Sequence, residues 1–371
     1  MPCPPASPAT PASDGRSVAE DRRRGRGAAL NASGRFEPLA RESFDDGWDS
    51  LEDLPPLKTE IQEEKARTII TRNESPDLSF DRSINPYRGC EHGCIYCFAR
   101  PSHAFMGLSP GLDFETRLFA KPNAAALLER ELSKPGYTPR VIAIGTNTDP
   151  YQPMERGYKL MRDILEVLEN CGHPVAIVTK SALVTRDIDI LSRMAERNLV
   201  KVALSVTTLD KKLCRAMEPR ASAPHKRLGA IRALSEAGIP TSVMMAPIIP
   251  ALTDSEIEAL LEVAAEHGAA EAAFILLRLP LEVSELFRDW LLRQRPDRYR
   301  HVMSLIRSMR GGKDYDAKWG ERMRGRGPYA DQIAKRFALA AKRFGLNLRR
   351  KKLTTEHFVQ PQKGGVQLSL F

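Results

Sequence analysis

An α/β fold of repeated strand–helix units is predicted by two features of the chain. Apolar runs of five or six residues alternate with amphipathic stretches about twice as long. Successive apolar runs are about 30 residues apart, the length of a βα unit. A third feature places the chemistry. Three cysteines follow the first strand, and loops after strands gather at the C-terminal mouth, where such folds build their sites.

The elements follow in order. Residues 1–60 are rich in Pro, Ser, Gly and Arg, then acidic from Glu42 to Glu64, with no sustained apolar period. They are expected to be mostly disordered. Within them Arg24-Gly-Arg-Gly-Ala and Gly34-Arg-Phe-Glu are candidate docking segments. From about residue 81 the pattern changes. Strands are predicted over Ser83 to Arg88, Val141 to Gly145, Val175 to Thr179, Lys201 to Val206, Thr241 to Ala246 and Ala272 to Leu277. Helices are predicted over Asn123 to Leu132, Gly157 to Asn170, Arg186 to Arg197, His225 to Ala237 and Asp254 to His267. Gly238 followed by Pro240 should end one helix, and Thr253-Asp-Ser-Glu256 should open the next as a capping box. Periodicity alone leaves open a doubly wound sheet, a closed barrel or a partial one. Residues 281–356 should be helical and basic, and 357–371 a flexible tail.

Composition excludes several classes. The apolar fraction of 42% supports a sizeable core. No apolar run reaches the ~18 residues of a membrane span, and the start of the chain lacks the apolar stretch of a secretory signal. Six cysteines, with Cys3, Cys171 and Cys214 scattered, do not form a disulfide framework, which fits a reduced, cytoplasmic setting. The net charge of +9 is concentrated: Arg278 to Lys352 holds 21 Lys/Arg against 8 Asp/Glu. With Trp290, Tyr299, Tyr315, Trp319 and Tyr329 interleaved, this block suits a polyanion such as DNA. It also fits solvated helices whose aromatics lie in the core.

Cys90, Cys94 and Cys97 form a C-x3-C-x2-C run. Three thiolates leave one iron of a four-iron cluster open to an exogenous ligand. The other reading is a zinc site with His92 or His103 as fourth ligand, although no second cysteine knuckle is present.

The run, with Tyr96 before its third cysteine, resembles the cluster loop of radical S-adenosylmethionine (SAM) enzymes. The segment Gly145-Thr-Asn-Thr-Asp149 is similar to a subgroup related to spore photoproduct lyase. The resemblance implies a partial (βα)6 TIM-type barrel over residues 80–280 and a 4Fe–4S cluster on Cys90, Cys94 and Cys97. It also implies that SAM on the open iron is cleaved reductively to a 5′-deoxyadenosyl radical, with an electron donor such as flavodoxin or ferredoxin. For SAM binding it points to Gly145, Thr146, Asn147 and Asp149 after the second strand. Lys180 after the third strand and Ser205 at the end of the fourth would meet the carboxylate or ribose, and Glu218 with Arg220 would act as an acidic–basic pair. Ala246 to Pro250 would offer backbone contacts to adenine. Cys214 is a candidate hydrogen-atom donor. Spore photoproduct lyase carries its donor cysteine beside the second-strand motif, where this chain has Asn147 and Thr148, so thymine-dimer repair does not carry over. No further cysteine block follows the barrel, which disfavours auxiliary clusters.

The chain ends in Gln367-Leu-Ser-Leu-Phe371, which resembles the pentapeptide that docks bacterial repair proteins on the DNA sliding clamp. Leu368, Leu370 and Phe371 would be anchors in an apolar groove. The expected function is therefore radical SAM chemistry on nucleic acid, akin to DNA repair. The alternatives are the same chemistry on tRNA or a small molecule, or a zinc-stabilised DNA-binding module.

Overall fold

In the computed structural model of the chain, residues 17–37 and 55–361 are described. Their strands are β1 (Glu60–Glu63), β2 (Ile70–Arg72), β3 (Arg82–Ile84), β4 (Tyr87–Arg88), β5 (Arg117–Ala120), β6 (Ile142–Ile144), β7 (Val175–Thr179), β8 (Val200–Ser205), β9 (Thr241–Ile248) and β10 (Glu271–Leu276). Seven form the main sheet in the order β10-β9-β8-β7-β6-β3-β2, parallel throughout except for the antiparallel edge strand β2. A smaller sheet orders β1-β5-β4. The six parallel strands with helices on their outer face match the partial barrel expected.

Differences from expectation have local causes. The strand predicted over Ser83 to Arg88 splits at Asn85-Pro86, because proline has no N–H to give to a ladder. Arg82–Ile84 stays in the main sheet and Tyr87–Arg88 turns into the small one. The helix predicted over Gly157 to Asn170 is broken at Lys159, whose φ of 54° is left-handed, into Glu155–Tyr158 and Leu160–Asn170. Gly238, at φ 76°, ends the helix Pro224–Glu236 as expected. The capping box does not form. The Thr253 hydroxyl accepts from the Ile249 amide, and Glu256 holds Thr208 Oγ1 and the Leu209 amide instead.

The burial rhythm along the strands reveals the inner face of the sheet. In β7, Val175, Ile177 and Thr179 are buried while Ala176 and Val178 are half-exposed; in β8, Lys201 and Ala203 alternate the same way. β9 continues with Ser242, Met244 and Ala246, and on β10 Ala273 is exposed. Registers align Ala176 with Lys201, Ala203 with Ser242 and Met244 with Ala273, so these residues share one face. The opposite face is sealed by helices, with Val175, Val202, Val243 and Leu276 in one large apolar cluster. The sheet is thus packed on one side and open on the other: its inner face is a trough lined by small side chains.

Two regions expected to stand apart are built into the body. Residues 17–37 fall within the segment expected to be mostly disordered, yet Ala28 and Leu30 are buried. Helices Glu282–Gln294 and Tyr299–Ser308 contribute Phe287, Trp290, Leu291 and Val302 to a cluster that also holds Leu30, Ile95 and Tyr96. Fully burying each such side chain contributes about 1.5–3 kcal/mol. Apolar contact, invisible as periodicity in the Gly- and Arg-rich stretch, orders it. The helix Pro328–Arg343 packs instead on the outer layer, Phe337 meeting Phe274 of β10. Among the described residues no helix is long and apolar enough to cross a membrane.

Candidate active site

The loop bearing Cys90, Cys94 and Cys97 is shaped by one buried cation. Arg100 is fully buried, and its guanidinium donates to the carbonyls of Gly93, Cys94, Pro110 and Gly111. Its charge is met by Glu115, also fully buried, at 2.5 Å. The two oxygens of Glu115 further accept from the Gly27 and Ala28 amides at 2.8 and 2.9 Å, and Arg26 donates to the Glu115 carbonyl. The chain passes so close that a β-carbon on Gly27 would collide with the Gly93 carbonyl. Arg24-Gly-Arg-Gly-Ala is therefore a docking segment, and its partner is the cysteine loop of its own chain.

The three thiols are free of disulfides; Cys90 and Cys94 are buried and Cys97 is half-buried. Burial pushes the Cys94 and Cys97 thiols up, with the charges of Glu218 and Cys90 respectively adding to it. Holding such sulfurs as thiolates calls for a strong local cation, the role a metal cluster fills. Each histidine considered for a zinc site keeps a buried Nδ1 without a hydrogen-bond partner. His92 Nδ1 lies 3.4 Å from Asp149 Oδ2, and His103 Nε2 is hydrogen bonded to the Arg117 carbonyl. Among the described residues no three His, Cys, Asp or Glu side chains converge as ligands of a single metal ion. The donor set fits a cluster broad enough to be reached from separate points of one loop.

Lys180 leaves the end of β7 on the trough side. Its ammonium donates to Ser205 Oγ at 3.0 Å, approaches the Ala246 carbonyl at 3.5 Å and lies 5.7 Å from the Tyr96 ring centre. Lys180, Ser205 and the Ala246 backbone are thus brought together with the cysteine loop.

Other predicted residues have structural partners. Asp149 accepts from Thr179 Oγ1, the Lys180 amide and the Tyr151 amide, tying the ends of β6 and β7 to His92. Burial opposes its charge, but His92 and these donors hold its pKa down at about 2. Gly145 has φ 88°, and a β-carbon there would strike the Val178 carbonyl, so strand packing requires glycine at this position. The Asn147 amide donates to Asn85 Oδ1 while its side chain is exposed, and Thr146 is half-buried.

Glu218 and Arg220 are not paired with each other. Arg220 reaches Glu91 at 3.1 Å. Glu218 is buried among the Tyr96 hydroxyl, Arg227 and Thr207 Oγ1, with Cys214 Sγ 3.5 Å away. Burial works against its charge, and Arg227 and Lys180 outweigh it, leaving a pKa of about 2. The Cys214 thiol is raised to about 12 by burial and by Glu218.

Sequence reasoning missed Arg100, Glu115 and Arg227. Each is a charged residue in a region read for other features, and its burial comes from contacts distant in sequence.

Residues 84–264 match the family model described as Radical SAM superfamily. Uncharacterized protein Rv2578c of Mycobacterium tuberculosis is 40% identical over 230 residues, 61% of this chain and 68% of that protein. Uncharacterized protein MJ0683 of Methanocaldococcus jannaschii is 28% identical over 242 residues, 65% of this chain and 86% of that protein. Among solved structures, spore photoproduct lyase complexed with dinucleoside spore photoproduct superposes with a TM-score of 0.54 at 17% identity, covering 77% of this chain and 80% of that one. A double mutant of the same lyase with bound AdoMet and dinucleoside spore photoproduct gives 0.56 at 16% identity over the same shares. At these identities the likeness shows the fold alone.

Two outcomes follow from the buried charges. Glu115→Gln should destabilise the fold by about 3–5 kcal/mol, because it strands the Arg100 cation. Urea unfolding measures the loss, and hydrogen exchange should find the Gly27 and Ala28 amides unprotected; protection at the wild-type level would contradict the arrangement. Glu218 has a folded pKa of about 2 against an ordinary 4.5. Its stabilisation is therefore complete above about pH 4.5 and is lost as pH falls toward 2. Glu218→Gln should flatten acid unfolding in that window, read by circular dichroism.

Proposed function

We propose that this chain, which belongs to the radical SAM superfamily, carries that family's chemistry to a nucleic-acid substrate in a reaction akin to DNA repair. The chain is an enzyme of a family that uses a 4Fe–4S cluster and SAM. The observation that carries the reading is the set of three free thiols on one loop beside Lys180, above an open trough. When bound and reduced, a 4Fe–4S cluster with SAM supplies a 5′-deoxyadenosyl radical that removes a hydrogen atom from a substrate.

In this reading Cys90, Cys94 and Cys97 are the cluster ligands. Lys180, steadied by Ser205 and the Ala246 carbonyl, provides the positive charge for the SAM carboxylate. Thr146 and Asn147 offer a hydroxyl and an amide at the end of β6. Asp149 and Glu218 act indirectly, by holding the cysteine loop and the strand ends in register. Cys214, kept as a thiol by burial and by Glu218, retains the S–H that a hydrogen donor needs. The small side chains of the trough leave room for a substrate on the inner face.

The nucleic-acid assignment is supported by the basic surplus of residues 278–352 and by a fold shared with spore photoproduct lyase complexed with dinucleoside spore photoproduct. A reduced, cytoplasmic compartment, with flavodoxin or ferredoxin as electron donor, suits the scattered cysteines and an oxygen-sensitive cluster. Residues 80–280 form the catalytic core in this division of the chain, and 281–356 a basic helical region that shares apolar contacts with it.

Anaerobic reconstitution should give a brown protein with about four irons that cleaves SAM with reduced flavodoxin or ferredoxin. Cys94→Ala should lose both properties. Deuterium should pass from a labelled oligonucleotide, starting with damaged DNA, into 5′-deoxyadenosine. A colourless protein holding one zinc would sink the cluster assignment, and transfer from tRNA or a small molecule alone would move the substrate to the alternative reading.

The pentapeptide Gln367–Phe371 lies outside the described residues. We propose that it docks on the DNA sliding clamp, bringing the enzyme to DNA. Deleting it should abolish capture of purified clamp; unchanged capture would remove the idea.

A further inference from the structure

Phe98 follows directly after Cys97, and its ring is 42% exposed, unusual for a large apolar side chain in so well-packed a loop. Over it lies the guanidinium of Arg278, 4.6 Å from the ring centre. Arg278 comes from the segment just past β10, so residues from the two ends of the core meet beside the cysteine loop.

Arg278 is poorly satisfied by the protein. Its Nε is buried without a hydrogen-bond partner, and its Nη1 meets only the weakly accepting sulfur of Met323 at 3.4 Å. Among the described residues it forms no ion pair; Asp77, whose charge reaches it, is held instead by Arg322 at 2.5 Å. Its neighbour Arg310 is also a cation with an unpartnered Nε, and the two repel. Arg310 is buried and spends its Nη1 and Nη2 on the carbonyls of Glu321 and Leu277, so the guanidinium short of acceptors is that of Arg278, and a planar oxyanion or phosphate matches its fork.

Other aromatics of the described residues are exposed as well. Phe36 and Phe105 are stacked at 5.1 Å while 57% and 72% exposed, and Phe105 lies eight residues beyond Cys97. Trp319 is 60% exposed on the segment whose Met323 touches Arg278. A duplex hides its base faces within its own stack, whereas an unpaired strand offers faces to aromatics and phosphates to cations.

We infer that Phe98 and Arg278 form a binding site for one nucleotide of an unpaired strand, the base stacking on the Phe98 edge of the pair and the phosphate meeting Arg278. This rests on the nucleic-acid reading above and specifies it: the substrate is single-stranded, or is presented with the reacting nucleotide out of its stack.

The test is fluorescence anisotropy of the full chain with a labelled single-stranded oligonucleotide and its duplex, over a series of salt concentrations. Variants with wild-type unfolding midpoints are compared. The single strand should bind more tightly than the duplex. Phe98→Leu should weaken single-strand binding about tenfold, the scale of one lost base stack. Arg278→Ala should weaken it similarly and lower the slope of log affinity against log salt by about 0.7, one phosphate contact, while Arg278→Lys restores the slope. Wild-type affinity and slope in both Phe98→Leu and Arg278→Ala would overturn the inference, as would tighter binding of the duplex, and either result leaves the nucleic-acid reading intact. Failure of the wild-type protein to bind either oligonucleotide would overturn that reading and the inference with it.

Discussion

A buried Arg100 without Glu115 would be an uncompensated charge in a dry interior, and the cysteine loop is organised around avoiding that. A guanidinium has five donors in a fixed plane. Here they are distributed over carbonyls of two separate turns, at residues 93–94 and 110–111, and over one carboxylate. Because the fork is planar, the turns it joins have little freedom to shift independently. The carboxylate that neutralises it has lone pairs to spare, and the amides of Gly27 and Ala28 take them. The N-terminal segment is thereby recruited by the same charge that shapes the loop. Removing one member leaves a buried ion, so the unit is all or none.

The same economy explains why several polar residues at strand ends are not free for a ligand. The C-terminal ends of parallel strands leave amides and hydroxyls that need partners in a buried setting. Asp149 supplies them at β6 and β7, and Glu256 does so after β8. Glu218 neutralises Arg227 beneath the mouth and orients Tyr96. What stays open is a short list: Lys180 with Ser205, the exposed side chain of Asn147, and the small residues of the trough. A frame that satisfies its own polar groups leaves the few unsatisfied ones in fixed positions, which is the condition for precise ligand placement.

The barrel is also unlike a closed one in what fills it. Closed barrels pack their interior with layers of branched side chains. Here the inner positions include Ala176, Ala203, Ser242 and Ala273, too small to fill the space beside Val178 and Met244, with Lys201 and Glu271 paired across β9. The stability of the sheet therefore comes from its outer face, and the inner face can accept a large cofactor and substrate without losing a core.

The parallel strands and the order of βα units were legible in the sequence because a strand buried by helices must be apolar and a helix packed on it must be amphipathic. Those are local patterns. The cysteine loop was equally legible, since three metal-binding side chains within eight residues need no tertiary information to be recognised as a set. Tertiary structure alone decided which charged residues serve the frame and which face the site. Asp149 and Lys180 both sit at strand ends in sequence, but one is spent on neighbouring amides and the other is held over the trough. Nothing local marks Arg100, Glu115 or Arg227 as buried, because a charge can be buried only where a partner distant in the chain arrives to meet it. The docking of residues 17–37 has the same origin: short apolar contacts and two amides carry no periodicity, and they gain their energy only from the surface they meet.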